Sequence, residues 1–371
     1  MKTAENIQNA KKYCRIKHNI ALLEMFLTLA LLLLIQASGL SSEFKRIALS
    51  VSRAPILLIA VYMTMFGIFL SVIFFWPDYY AGYILEHKFS LSKQNFISWL
   101  KDYFKRLLIG GVIYLLMLEV LYYFLKNFPG IWWLWVSVIW LFFSLFLAKI
   151  FPIFIIPLFY KLQPLEDESL KARLLGLAKK SRVKILDIYR IGLGEKTKKA
   201  NAALTGMGSS KRILLSDTLL DNYTQDEIEA TLAHELAHYK YRHVWKLIIF
   251  NLLLTVATFL FIHFGYNYII FNAIKLNIYD IGAFPALAFL FTVFNIIFIP
   301  AYNALSRHFE TQADKEAVNV TGKPDAFISL MKKLTEQNLS DPEPSKIAEM
   351  FFYDHPPAGK RIRTAGETIK K

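Results

Sequence analysis

The sequence predicts a mainly α-helical, polytopic membrane protein with about six transmembrane helices and a soluble region that contains a small β-sheet. Three observations carry this. Of 371 residues, 55% are hydrophobic, and the mean hydropathy is +0.36, more apolar than ordinary soluble domains. Several apolar runs are long enough to cross a bilayer. A polar, charged segment of mixed strand and helix pattern separates the fourth run from the fifth.

In chain order, a polar, basic leader covers residues 1–19, and an apolar run follows from Ile20 to Ile35, interrupted by Glu24. The small residues Gln36-Ala37-Ser38-Gly39 raise a cleaved signal peptide, but the long leader and the spans that follow favour a retained first span. The second span is expected over about Pro55–Trp76. The aromatic and basic residues from Glu86 to Arg106 predict amphipathic helices at the membrane surface. The third span runs over about Leu107–Phe124 and turns at Phe128-Pro129-Gly130. The fourth opens in Trp132, Trp133 and Trp135, which suits an interface, and ends near Phe151, where Pro152 and Pro157 kink the exit.

Residues 161–246 are soluble in character. Val183–Ile191, Asn201–Thr205 and Lys211–Leu215 read as short strands. A helix from Gln225 to about Arg242 follows, free of Gly and Pro. Thr224 and Glu227 at its start form a capping-box pattern. Leu247–Ile270 and Ile281–Ala301 then form a membrane hairpin that turns near Lys275. The remainder is charged and helical in pattern to Pro342, and His355-Pro356-Pro357 is expected to stop any helix.

The formal charge of +14 could suggest nucleic acid, but its distribution argues otherwise. Residues 1–19, 77–106, 161–246 and 305–371 carry 5, 5, 16 and 11 Lys and Arg, whereas 41–54, 125–131 and 271–282 carry 3, 1 and 1. This is the positive-inside pattern, so both termini and the soluble region are expected in the cytoplasm. No nucleic-acid-binding motif is evident, and no nucleic-acid partner is expected. Cys14 is the only cysteine. No disulfide within the chain can form, and no oxidising compartment is required.

The chemistry gathers at His234-Glu235-Leu236-Ala237-His238. On a helix, residues four apart share a face, so His234 and His238 can offer two imidazoles to one metal ion, with Glu235 beside them as a general base. Catalytic zinc takes three protein ligands, and the third must lie on the same side of the membrane. The hairpin returns the chain there, just before Glu310 and Asp314. Glu310 can ligate, and Asp314 can accept the free N–H of a ligand histidine. His243 is expected at the membrane surface, off the ligand face, and His308 on another face from Glu310. Glu119 and His263 fall in or beside spans, where ionisable groups face protein or a watery cavity.

His234–His238 with Asn303-x-x-Ser306-Arg307-x-x-Glu310-x-x-x-Asp314 resembles the type I CAAX prenyl endopeptidases, integral-membrane gluzincins. Glu86-His87-Lys88-Phe89-Ser90, Ile156-Pro157-Leu158-Phe159, Gln163-Pro164-Leu165, Ser216–Leu220 and His355-Pro356-Pro357 extend the resemblance over roughly residues 55–365. It implies seven spans in eukaryotic members, against six counted here.

The resemblance further implies a cytoplasmic zincin-type catalytic domain, one zinc ion per chain on His234, His238 and Glu310, and Asp314, Asn303 and Arg307 behind the ligands. Glu235 would activate water. Asn201 and His355 would stabilise the oxyanion, and Arg361 would steady the same region. Asn201, Ala202, Ala203, Leu204 and Thr205 would template the substrate strand. Two domains follow: residues 1–160, a membrane domain of about four spans, and residues 161–371, a metallopeptidase domain interrupted by a transmembrane hairpin at about 247–303. The expected partners are membrane lipids and a peptide or protein substrate, lipid-modified ones included, in a bacterial inner membrane or the endoplasmic reticulum. The alternatives are a quality-control protease of the heat-shock type and a non-catalytic membrane scaffold.

Overall fold

A computed structural model of the chain describes residues 2–206 and 211–368. The first part comprises α1 (Lys2–Ala37), α2 (Leu40–Val51), α3 (Pro55–Tyr79), α4 (Leu85–Lys88), α5 (Phe96–Asn127), α6 (Trp132–Ile150) and α7 (Ile156–Phe159). The soluble region follows with β1 (Leu162–Pro164), α8 (Glu168–Lys180), β2 (Asp187–Ile191), β3 (Ala202–Thr205), β4 (Arg212–Ser216), α9 (Asp217–Asn222) and α10 (Gln225–Lys240). The hairpin and C-terminal part contain α11 (His243–Gly265), α12 (Phe271–Ile274), α13 (Phe284–Thr321), α14 (Pro324–Gln337), α15 (Lys346–Phe352) and α16 (Ala358–Thr368).

Six helical stretches among the described residues are long and apolar enough to cross a membrane, the number expected. Two expectations are corrected. The stretch expected to hold separate helices before Arg106 contains α4 and then the first turns of α5, which run without a break into the third apolar stretch. Asn95 caps α5 by accepting from the Ser98 N–H at 2.8 Å, and no proline interrupts the helix before Asn127. Pro356 and Pro357 do not stop a helix: α15 has already ended at Phe352, and the prolines lead into α16, where a fixed φ suits a helix start.

The four strands run in the order β1-β2-β4-β3, with β2 and β4 parallel and the outer pairs antiparallel. β1 was not foreseen, because three residues carry no readable alternation. β3 is an edge strand. The Ser216 N–H donates to the Asn201 carbonyl at 2.9 Å, and antiparallel pairs alternate in bonding. Ala203 and Thr205 therefore turn their backbone groups to β4, and Ala202 and Leu204 turn theirs outward.

One apolar core, including Leu174, Ile188, Leu215, Leu232 and Phe327, holds the sheet, α8, α10 and α14 together. A second, around Tyr62, Leu125, Trp132 and Tyr266, lies among the membrane spans. The 38-residue α13 enters both, through Leu287 and Leu290 in one and Ala317 and Val318 in the other. At 1.5 Å per residue it is about 57 Å long. Its start is pinned by α2: Ser41 Oγ donates to the Gly282 carbonyl at 2.7 Å, and Lys45 pairs with Asp280 at 2.6 Å.

Candidate active site

The capping box starts α10 as the sequence indicates. Thr224 accepts from the Glu227 N–H, and Glu227 accepts from the Thr224 N–H. Ten residues on, His234 and His238 face α13. Their Nε2 atoms are 3.1 Å apart. Glu310 faces both from α13, with Oε2 3.1 Å from His234 Nε2 and Oε1 3.2 Å from His238 Nε2. Glu310 is 5% exposed, and its Oε2 has no hydrogen-bond donor.

This geometry fits a metal ion. A tetrahedral zinc with bonds of 2.0–2.1 Å separates its ligand atoms by about 3.3 Å; the two Nε2 atoms are 3.1 Å apart, and one ligand atom from each of the three residues lies within 4.8 Å of the others. Asp314 Oδ1 lies 2.9 Å from His234 Nδ1, so the proton of a neutral His234 sits on Nδ1 and Nε2 carries a lone pair. That lone pair points at a buried carboxylate, an arrangement that calls for a cation between them. Burial pulls the His234 imidazole down, but Asp314 and Glu310 outweigh it and take it up to about 9. The pocket is built to hold positive charge.

Around this group lies a cavity of about 370 Å³ lined by Asn201, Ala202, Glu235, His355 and Arg361, with Leu330, Met331 and Leu334 on the α14 side. Leu204, from the outward side of β3, donates its N–H to Glu235 Oε2 at 3.3 Å. His355 Nε2 stands 3.4 Å from Glu310 Oε2, and its Nδ1 is 2.9 Å from Asp354. Partial burial lowers the His355 imidazole, whereas Asp354 and Glu310 raise it, with a net shift upward. Arg361 is bidentate on Asp314, at 2.8 Å through Nε and 2.6 Å through Nη2.

Residues 164–369 match the family model described as Peptidase family M48. The chain belongs to that family. Residues 2–161 of this metalloprotease match a second model, described as CAAX prenyl protease N-terminal, five membrane helices; four of the six apolar helices lie there. An uncharacterized metalloprotease of Bacillus subtilis is 28% identical, over 96% of this chain and 84% of that one. CAAX prenyl protease 1 of Saccharomyces cerevisiae is 32% identical, over 77% of this chain and 67% of its own. The crystal structure of S. mikatae Ste24p superposes with a TM-score of 0.87 at 24% identity, covering 97% of this chain and 89% of that one. The chain is thus an integral membrane metalloprotease with the fold of Ste24p. The family implies a metal, typically zinc, and a peptide or protein substrate.

Several residues of the metalloprotease stand where the sequence did not put them. Asn303 and Arg307, expected behind the ligands, reach away from them. Asn303 Nδ2 donates to the carbonyls of Met350 and Phe351 at 3.1 and 3.0 Å, and Arg307 Nη1 to those of Glu349 and Tyr353 at 2.8 and 2.7 Å. They hold the segment that ends in His355. Arg361, expected to steady the oxyanion region, lines the same cavity as Asn201, Glu235 and His355, and two of its donors go to Asp314.

His243 is the larger correction. It is buried with no exposed surface, 3.1 Å from His238 through facing Nδ1 atoms. A continued helix would carry a residue five positions on to another face. Instead α10 ends at Lys240, and Arg242 adopts φ 56, which folds the chain back.

Asn338 was missed altogether. Its amide pairs with both backbone groups of Ala200, at 3.0 and 3.2 Å, and fixes the entry to β3. No sequence pattern announces it, since it depends on a contact across 138 positions. His308 is exposed. His263 accepts from Trp132 Nε1 at 3.1 Å, an interhelical bond, and Glu119 Oε1 is buried without a partner.

Proposed function

We propose that the chain is a zinc endopeptidase working at the cytoplasmic membrane face, with prenylated CAAX C-termini as its substrate class. The observation that carries this is the grouping of His234, His238 and Glu310 beside a cavity that His234, Glu235 and Ala202 of the β3 edge line together. His234, His238 and Glu310 would hold the ion. Zinc held there supplies Lewis acidity, lowering the pKa of water towards neutrality.

The chain's own groups do the rest. The outward backbone groups of Ala202 and the Leu204 carbonyl pair with an extended peptide, while the Leu204 N–H holds Glu235. Glu235 takes a proton from the attacking water and passes it to the leaving amine. Asn201 and His355 donate to the developing oxyanion. Arg361 neutralises Asp314, which in turn orients His234. The apolar wall of Leu330, Met331 and Leu334 suits an aliphatic side chain beyond the scissile bond. The name of the yeast relative supports the CAAX assignment. The Lys and Arg distribution supports the cytoplasmic side, with the two halves dividing at about residue 160 into a membrane domain and a metallopeptidase domain crossed by the hairpin.

The test is cleavage of a farnesylated CAAX peptide by zinc-loaded protein in detergent, with Glu235→Gln alongside and products mapped by mass. Release of the C-terminal residues by wild type alone is expected. Degradation of an unfolded membrane protein with no cleavage of the peptide moves the substrate class to quality control. Turnover by Glu235→Gln overturns the mechanism.

A further inference from the structure

Behind the ligand His238 runs a chain of three side chains drawn from three helices. His238 Nδ1, on α10, lies 3.1 Å from Nδ1 of His243, the first residue of α11. His243 Nε2 lies 3.0 Å from Oε1 of Gln312, on α13. The His243 ring is stacked on Phe309, with centroids 4.5 Å apart and planes at 9°, and on Tyr241 at 5.7 Å and 19°. The ring is held by packing on both sides, and it has no exposed surface.

The direction of the protons follows from the chemistry of each group. The amide oxygen of Gln312 only accepts, so His243 Nε2 carries a hydrogen. The other nitrogen of a neutral His243 then carries a lone pair. Facing it, His238 Nδ1 is the donor, which leaves His238 Nε2 bare, and Nε2 is the atom that meets His234 and Glu310. The reverse assignment turns the Gln312 amide over, reverses both bonds and puts a proton on His238 Nε2, where it blocks ligation. Only one orientation of the relay is compatible with a metal on this triad.

We propose that His243 is a positioning residue for the metal: with Gln312 it forms a neutral relay that fixes the tautomer of His238, as Asp314 does for His234. This rests on the reading of His234, His238 and Glu310 as metal ligands. The two ligand imidazoles are thus backed differently, one by a carboxylate that Arg361 neutralises and the other by an uncharged imidazole and amide. The relay also ties the ligand on α10 to both arms of the membrane hairpin.

The experiment measures zinc affinity by chelator competition on the full-length protein in detergent, with unfolding followed in excess chelator. His234→Ala serves as the control for the metal site. His243→Phe keeps an aromatic ring against Phe309 and removes the acceptor. It is expected to weaken zinc binding by about 10- to 100-fold, the usual effect of losing a group that orients a ligand. His243→Gln offers an amide oxygen to His238 Nδ1 and is expected to recover much of the loss. Gln312→Met is expected to weaken binding less, and to cost nothing further in the His243→Phe background, because a relay already broken cannot be broken again.

Zinc that binds wild type, is lost in His234→Ala and binds His243→Phe as tightly as wild type overturns the relay and leaves the metal site standing. Additive losses from His243→Phe and Gln312→Met also overturn it. Absence of zinc binding by wild type overturns the metal reading itself. If His243→Phe does not fold, His243→Gln and Gln312→Met decide: near-wild-type affinity in the first with a modest loss in the second supports the relay, and an unchanged affinity in Gln312→Met refutes it.

Discussion

The backbone N–H of Leu204 donates to the carboxylate of Glu235 at 3.3 Å. The proposed general base is therefore held by the same strand edge that would pair with a substrate. A glutamine at 235 keeps an oxygen for Leu204 but cannot take a proton. Glu235→Gln is expected to retain zinc and lose about 10²- to 10⁴-fold in kcat, the usual worth of a general base. Metal analysis and peptide cleavage on the same sample check it, and retained turnover would remove Glu235 from the role.

Arg361 and Asp314 form a pair in which Asp314 is 1% exposed. Removing one member of such a pair leaves a buried charge alone and costs about 3–5 kcal/mol. Arg361→Met is expected to lower the unfolding midpoint in denaturant and to weaken zinc binding. Arg361→Met/Asp314→Asn, with no charge stranded, should recover stability without recovering zinc affinity.

Asn303 and Arg307 make four bonds to carbonyls between Glu349 and Tyr353, just before His355. Arg307→Ala is expected to lower kcat about tenfold or more through a misplaced His355, with zinc content unchanged. A variant that instead loses zinc in proportion to activity would return Arg307 to the ligands' own support.

Acid should loosen the catalytic region through Glu227. This carboxylate is 2% exposed and accepts from Lys333, Ser329 and the Thr224 N–H at 2.7, 2.6 and 2.8 Å. Burial alone would raise it, but these donors outweigh burial and hold it below its ordinary value of 4.5. With the folded value depressed, its stabilisation is complete above about pH 4.5 and fades as pH falls through the folded value. Unfolding midpoints measured across that range should fall less steeply with acid in Glu227→Gln, which is less stable at neutral pH. Parallel curves for the two proteins would contradict this.

Much of this architecture was legible because long-range physics writes itself locally in membrane proteins. A bilayer demands continuous apolar helices, so the six spans and the hairpin could be read off hydropathy. The i, i+4 spacing put His234 beside His238 and Glu310 beside Asp314. What stayed hidden depends on where a helix ends. His243 joins the site only because α10 stops at Lys240 and Arg242 turns left-handed, which neither residue's identity dictates. Asn303 and Arg307 sit within the ligand motif, yet serve a segment more than forty positions away. β1, at three residues, is too short to show a period.

The single rod α13 has a consequence for biosynthesis. His234 and His238 leave the ribosome 72 residues or more before Glu310, and His355 follows 45 residues after it. Between them the chain must insert a hairpin and bring α13 back alongside α10. Until then the two histidines lack their third partner, and β3 lacks the Asn338 clamp. The nascent protein cannot assemble the site while its own neighbours are still being made, so maturation of the membrane fold itself delays the onset of proteolysis.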